Sequence, residues 1–277
     1  MRDIITKIFT ALLALTVFMP SLAFASTPPD IYSGIYSGAQ RQIYEELTLS
    51  HASINRFTQQ MYTDYIDAHS QTTTALYSIL RTVICADPTA SIYYSHGTTL
   101  RIATQGSRFR PVTAVSDGVD VNARISQAKT KASSISKTAT AKASTQRKNR
   151  SFADYRYMRS AYQTLAKRLT YSTSSSTNND MYGALVENRS QCWGMALAYS
   201  YVLDLRSIPN LVGTGTMGDM GEHAFTLVRY QSKWYVCDLT FSDPRATLDG
   251  FLVPLSTYKK VAKVTLSAET TKAMRLY

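Results

Sequence analysis

Cys192, His223 and Asp238 are the residues of this chain whose types and order fit covalent chemistry. A thiol becomes an effective nucleophile when a base takes its proton, and the base works best when an acid orients it. The three occur in separate local settings. They are Ser190-Gln191-Cys192-Trp193-Gly194-Met195-Ala196, Gly221-Glu222-His223-Ala224-Phe225 and Trp234-Tyr235-Val236-Cys237-Asp238-Leu239-Thr240.

Those settings predict the elements that must position the trio. Met195, Ala196, Tyr199 and Leu203 follow Cys192 at the spacing of one apolar helix face, and Pro209 lies beyond the expected end near Leu205. Ser190 is the expected cap. Cys192 then falls in the first turn, where free N–H groups and the helix dipole favour a thiolate. The small Gly194 and Ala196 let the helix approach a sheet. His223 to Tyr230 and Lys233 to Thr240 read as strands joined by Gln231-Ser232. In that register Tyr230 pairs with Lys233, Phe225 with Asp238 and His223 with Thr240. His223 and Asp238 become diagonal neighbours on the face that the Cys192 helix is expected to cover. Each residue also has a plain structural role open to it: a buried thiol, a core histidine, a carboxylate in a local turn. All three must hold at once for the trio to be accidental.

This stretch resembles the transglutaminase-like superfamily, a branch of the papain-like thiol enzymes. The resemblance is carried by Tyr182-Gly183-Ala184-Leu185, Cys192-Trp193-Gly194-Met195-Ala196, Glu222-His223-Ala224-Phe225 and Trp234-Tyr235-Val236-Cys237-Asp238-Leu239-Thr240. Gln191-Cys192-Trp193 is also similar to the catalytic segment of animal transglutaminases. Met195 and Phe225 stand where bacterial members usually have Tyr and Trp. The resemblance covers the last third of the chain. It implies a Cys-His-Asp triad of Cys192, His223 and Asp238, an oxyanion donor in the Cys192 backbone N–H, and acyl transfer on amide bonds. The second oxyanion donor is not identified, and neither Gln191 nor Tyr182 is assigned to it.

The expected fold is α+β: a papain/transglutaminase-like core with the Cys-bearing helix on an antiparallel sheet, preceded by a helical region with a small β segment. Residues 1–25 read as a signal peptide, with Arg2 and Lys7 before an apolar run and Ala23-Phe24-Ala25 before Ser26. Residues 26–38 read as a tether containing a tandem Ile-Tyr-Ser-Gly. Residues 39–120 form the helical and small β region, 121–170 a basic helical connector, and 171–277 the catalytic domain. Within 39–120, Ile43, Leu47, Ile54, Phe57 and Met61 make one helical series, and Ala75, Leu76, Ile79, Leu80 and Val83 a second that Asp87-Pro88 stops. Ile92-Tyr93-Tyr94 and Pro111 to Val115 are expected strands. Ile125, Ala128, Ala132, Ile135 and Ala139 predict an amphipathic helix, and Tyr155, Met158, Tyr162, Leu165 and Leu169 another. The tail from Phe251 is expected to mix strand or loop with a frayed end. Bacterial export to the cell envelope or medium follows from the signal peptide and the resemblance, with no transmembrane span in the mature chain.

The chain of 277 residues carries a net charge of +11, and 101–150 holds eleven Lys and Arg against Asp117 and Asp120. A basic face suits an anionic cell-envelope polymer. Nucleic acid is disfavoured, since no aromatic lies between Phe109 and Phe152 to stack on bases. His51 and His69 lack a metal-type cluster, and no metal or cofactor is called for. Gly213-Thr214-Gly215-Thr216-Met217-Gly218 matches a dinucleotide-loop pattern, but a strand follows where such a site needs a helix. It reads as a mobile loop or lid. Cys85 and Cys237 are candidates for a disulfide.

The expected function is a secreted thiol enzyme acting on amide bonds of protein or peptide substrates, as protease, deamidase or transglutaminase-type acyltransferase. The competing class is a non-catalytic surface module that uses the same fold to bind wall polymer or protein.

Overall fold

Apolar spacing and side-chain caps mark out the helices of the computed structural model, which describes residues 31–54, 65–144, 150–174, 176–218, 221–241 and 249–277. The expected signal peptide, and Phe57 and Met61 of the first helical series, lie outside the described residues. α1 (Gly38–Ile54) is followed by β1 (Ile66–Asp67) and α2 (Thr73–Ala86). Thr72 caps α2 by accepting the Ala75 N–H at 3.2 Å, and Asp87 ends it before Pro88. α3 (Ala90–Tyr94) leads into the short strands β2 (Ser95–His96), β3 (Thr99–Leu100), β4 (Ile102–Gln105) and β5 (Arg108–Pro111).

Two helices then form the flank of the molecule. α4 (Val121–Ser144) buries Ile125, Ala128, Ala132, Ile135 and Ala139, the stripe read from the sequence. Its alanines let α5 (Arg150–Ala166) lie close along it. β6 (Thr170–Tyr171) pairs in parallel with β7 (Arg189–Ser190), and α6 (Met181–Leu185) lies between them in sequence. α7 (Cys192–Asp204) follows, then β8 (Asn210–Met217), β9 (Glu222–Tyr230) and β10 (Lys233–Cys237). The chain ends with β11 (Val253–Pro254), α8 (Leu255–Val261), β12 (Val264–Leu266) and α9 (Ala268–Leu276).

The main sheet has the order β11-β10-β9-β8-β12, antiparallel throughout. Helices cover both of its faces, so β9 is buried from His223 to Val228. α4, α5 and α6 pack with α7, and their buried side chains join one apolar core with those of the sheet. The expected α+β class, with the Cys-bearing helix on an antiparallel sheet behind a helical region with a small β segment, is what the chain forms.

Several local expectations are corrected. Ile92-Tyr93-Tyr94 is helical. Asp87 Oδ1 accepts the Thr89 N–H at 2.9 Å and Ser91 Oγ donates to the Pro88 carbonyl at 2.6 Å, which starts a helix where aromatic content alone reads as strand. Of Pro111 to Val115 only Pro111 is in a strand, and Ala114–Asp117 is a 3₁₀ turn closed by Gly118 at φ +76°. The supposed tether is partly core. Ile31, Ile35 and Tyr36 are buried, and the Tyr36 hydroxyl bonds Thr82 Oγ1 at 2.8 Å. The segment 121–170 also contributes to the core, through Ile125, Ala132, Ile135, Tyr157 and Met158. The tail is not frayed, since Ser267 caps α9 and Tyr258 of α8 is fully buried.

The glycine-rich run is strand β8, not a loop. Gly213 lies under the Phe225 ring, where an added Cβ would come within 2.7 Å of Cε2. Gly215 lies against the backbone of β12, 2.3 Å from the Thr265 oxygen by the same test. Gly here serves close packing of neighbouring strands.

Candidate active site

The hairpin of β9 and β10 positions two of the three predicted residues. Gln231 and Ser232 both take left-handed backbone, φ +49° and +62°. This is the two-residue turn whose twist matches paired strands, and Tyr230 faces Lys233 as expected. The ladder runs only to Cys237 opposite Thr226. Asp238 has left it: its N–H donates to the Gly250 carbonyl at 2.7 Å, and Leu239–Phe241 turns as a 3₁₀ helix. The expected pairs Phe225–Asp238 and His223–Thr240 therefore do not form. Departure from the ladder frees the Asp238 side chain to turn onto His223.

His223 Nε2 lies 2.7 Å from Asp238 Oδ2, with both residues buried. A carboxylate can only accept, so Nε2 carries the hydrogen and Nδ1 is left as the other working nitrogen. Asp238 is held at every polar atom. Oδ1 accepts the Thr240 N–H at 2.9 Å, Oδ2 also accepts the Tyr258 hydroxyl at 2.6 Å, and the main-chain oxygen accepts the Tyr162 hydroxyl at 2.9 Å.

The thiol arrives from the other side of the sheet. Thr226 Oγ1 donates to the Ala196 carbonyl of α7 at 3.0 Å, and Cys237, opposite Thr226, neighbours Tyr199 of α7. The body of α7 thus covers the Thr226 face. His223 and Phe225 lie on the opposite face, where the Phe225 and Tyr258 rings are 5.1 Å apart. This corrects the expectation that α7 covers the His223 face. The trio still meets, because Cys192 is the first residue of α7, at the sheet end where β9 begins and β10 stops. The Cys192 thiol lies near enough to the His223 ring to raise its proton affinity.

Burial alone would lower the proton affinity of His223. The bond to Asp238 and the neighbouring Cys192 more than reverse this, and its pKa is pushed up from 6.5 to about 9. An imidazolium that persists to that pH is the partner a thiolate needs. The other cysteines are in different surroundings. Burial pushes the thiols of Cys85 and Cys237 up to about 12, and all three cysteines are free, so the disulfide considered between Cys85 and Cys237 is absent.

The start of α7 is built by the segment before it. Ser190 is not the cap: its hydroxyl donates to the Asn178 carbonyl at 3.0 Å. Asn179 is, since its Oδ1 accepts the Gly194 N–H at 3.0 Å. Gly194 fits under this segment rather than against the sheet. A Cβ there would lie 2.1 Å from Ser190 Oγ and 2.5 Å from the Asp180 carbonyl. Asp180 caps α6 through the Gly183 N–H at 2.7 Å, and burial pushes its carboxyl up to about 6. The N–H groups of Cys192 and Trp193 head the helix, where no intrahelical acceptor reaches them. Gln191 Oε1 accepts from Asn179 at 3.3 Å, and Tyr182 turns to α4, where Arg124 stacks on its ring. Tyr171, paired to Ser190 and 46% exposed, borders the thiol.

Sequence reasoning missed Asn179, Tyr162, Tyr171 and Tyr258. Asn179 lies in the polar run Thr177-Asn178-Asn179-Asp180, which carries cap residue types but no spacing to Cys192. Tyr258 had no local signal.

No known family model matches the sequence, and no curated protein does. Among solved structures the chain is similar to the crystal structure of a TGase, with 13% identity and a TM-score of 0.38 over 60% of this chain and 49% of that one. It is also similar to the structure of a "putative cysteine protease" from Cytophaga hutchinsonii, with 15% identity and a TM-score of 0.32 over 49% of this chain and 46% of that one. The chain thus spans about half the length of each of these two structures. Among the described residues no helix is long and apolar enough to cross a membrane, and no cluster of three His, Cys, Asp or Glu side chains is arranged to hold a metal.

Proposed function

We propose that this protein is a thiol enzyme that cleaves or transfers acyl groups at amide bonds of proteins or peptides, with Cys192 as nucleophile, His223 as general acid–base and Asp238 as its orienter. The observation that carries the proposal is the buried 2.7 Å bond from His223 Nε2 to Asp238, on a ring whose proton affinity the neighbouring Cys192 thiol also raises.

The chemistry follows from that arrangement. The Cys192 thiol proton passes to His223 Nδ1, Sγ attacks the amide carbonyl carbon, and the carbonyl π pair moves to oxygen, which the Cys192 backbone N–H stabilises. Collapse of this oxyanion breaks the C–N bond, and the proton on His223 Nδ1 passes to the leaving amine. Asp238 keeps Nε2–H in place and stabilises the cation in between. The acyl thioester is then resolved by water, giving hydrolysis or deamidation, or by a second amine, giving a cross-link. Export through residues 1–25 belongs to the same proposal, as does attraction of an anionic envelope polymer to the exposed lysines of α4.

Incubation of the mature protein with casein and a fluorescent amine tests the reaction class. Casein fragments mean a protease and labelled casein means a transferase. Release of ammonia without either product means a deamidase, and none of the three outcomes, together with binding to anionic polymer, would replace the enzyme with a binding module.

A further inference from the structure

We infer that Tyr258 is a positioning residue for this thiol chemistry: its phenol shares one carboxylate oxygen of Asp238 with His223 and so sets how strongly the carboxylate holds the imidazole proton. The inference rests on the function proposed above and goes beyond its three residues, because it makes helix α8 part of the site.

The geometry is specific. The Tyr258 hydroxyl donates to Asp238 Oδ2 at 2.6 Å, and His223 Nε2 bonds the same atom at 2.7 Å. The other oxygen, Oδ1, is taken by the Thr240 N–H at 2.9 Å. Tyr258 is fully buried, with Phe225 at 5.1 Å and Phe241 at 6.3 Å between ring centroids. The same two rings flank His223, at 6.1 and 6.2 Å. The phenol and the imidazole are thus fixed by one aromatic wall.

A hydrogen bond donated to a carboxylate withdraws part of its charge. The oxygen that His223 meets is therefore a weaker acceptor than an unshared one. Burial and the neighbouring Asp238 hold the Tyr258 phenol far above its usual range, so it remains a donor at any working pH. The other titratable groups around His223 are Cys192 from α7 and Asp238 itself. Tyr162 and Asp249 stand behind Asp238, Tyr171 stands beside the thiol, and Glu222 is engaged by Arg81 at 2.9 Å. Tyr162 bonds the Asp238 main-chain oxygen rather than its carboxylate, which makes it a natural control.

The test is the titration of His223 in full-length protein carrying ¹³C-labelled histidine, followed by NMR, with His223→Ala to assign the resonance. In Tyr258→Phe the midpoint is expected to rise by about half a unit or more, because the carboxylate regains its full charge. Site-specific 3-fluorotyrosine at position 258, a stronger donor of nearly the same shape, is expected to move it down. Tyr162→Phe is expected to leave it in place. Opposite shifts from the two position-258 variants are not produced by a packing role, and the fluorinated protein keeps the test intact should the Phe variant fold poorly. Coincident midpoints in wild type and both position-258 variants would overturn the role of Tyr258. Loss of His223-dependent alkylation of Cys192 in wild type would instead overturn the proposed function, and this inference with it.

Discussion

Asn179 caps the helix that carries the thiol: its Oδ1 accepts the Gly194 N–H at 3.0 Å, thirteen positions ahead of Cys192 in sequence but at the same helix end in space. The first turn of α7 is therefore set by the 177–190 segment and not by the helix itself. Asn179→Ala is expected to cost about 1 kcal/mol of stability, the usual worth of a cap. It should also slow alkylation of Cys192, because the first turn loses its anchor. Asn179→Asp keeps an acceptor and should retain both. Thermal melts alongside iodoacetamide kinetics report the two effects; an Ala variant with unchanged melting would show that the cap is idle.

Gly194 tests the same junction by crowding. An added Cβ would meet Ser190 Oγ at 2.1 Å and a backbone oxygen of Asp180 at 2.5 Å. The hydroxyl can rotate but the carbonyl cannot. Gly194→Ala, usually favourable within a helix, should here destabilise by roughly 1–3 kcal/mol. Urea unfolding of this variant beside Ala196→Gly checks it, and a stabilised Gly194→Ala protein would mean that α7 does not dock this closely.

A third prediction concerns pH. Asp204, at the end of α7, is half-buried and accepts from Asn210 Nδ2 at 2.7 Å. Burial is the main cause that raises its carboxyl from 3.8 to about 7, with Asp87 adding to it. A carboxyl raised on folding binds more protons in the folded state, so its contribution to stability falls as pH rises from about 4 to about 7. Asp180, raised to about 6, acts in the same direction. His223 does so at higher pH: its folded pKa of about 9 lies above the unfolded 6.5, so its contribution is lost as pH rises through 9. The protein should melt higher at pH 5 than at pH 8. Asn in place of Asp204 should add on the order of 1–2 kcal/mol at pH 8 and flatten the profile between pH 5 and 7. A wild-type melting temperature that climbs from pH 5 to pH 8 would contradict this.

Much of the site was legible because its signals are local. The spacing from Cys192 to Leu203 is a property of one helix, and the Tyr230–Lys233 register follows from a two-residue turn. What escaped depends on distant partners. Gly213 and Gly215 weaken any strand reading, and only Phe225 above one and β12 beside the other explain them. The face assignment of α7 failed for a related reason. Alternation orders side chains within a strand but does not say which face a helix covers, and only the Thr226–Ala196 bond reveals it. Tyr258 lies 20 positions beyond Asp238, and its burial depends on a helix that sequence periodicity marked poorly.

The measurement that bears most directly on the central claim is site-resolved labelling by limiting iodoacetamide between pH 6 and 8. Cys192 should label first by a wide margin, because Cys85 and Cys237 are held near 12 by burial while Cys192 faces a protonated His223. His223→Ala should slow Cys192 labelling at least about tenfold at pH 6, with amidase or transferase activity lost in step. Asp238→Asn should slow labelling less than it slows turnover. Equal labelling of all three cysteines in folded protein, or a Cys192 rate indifferent to His223→Ala, would contradict the account.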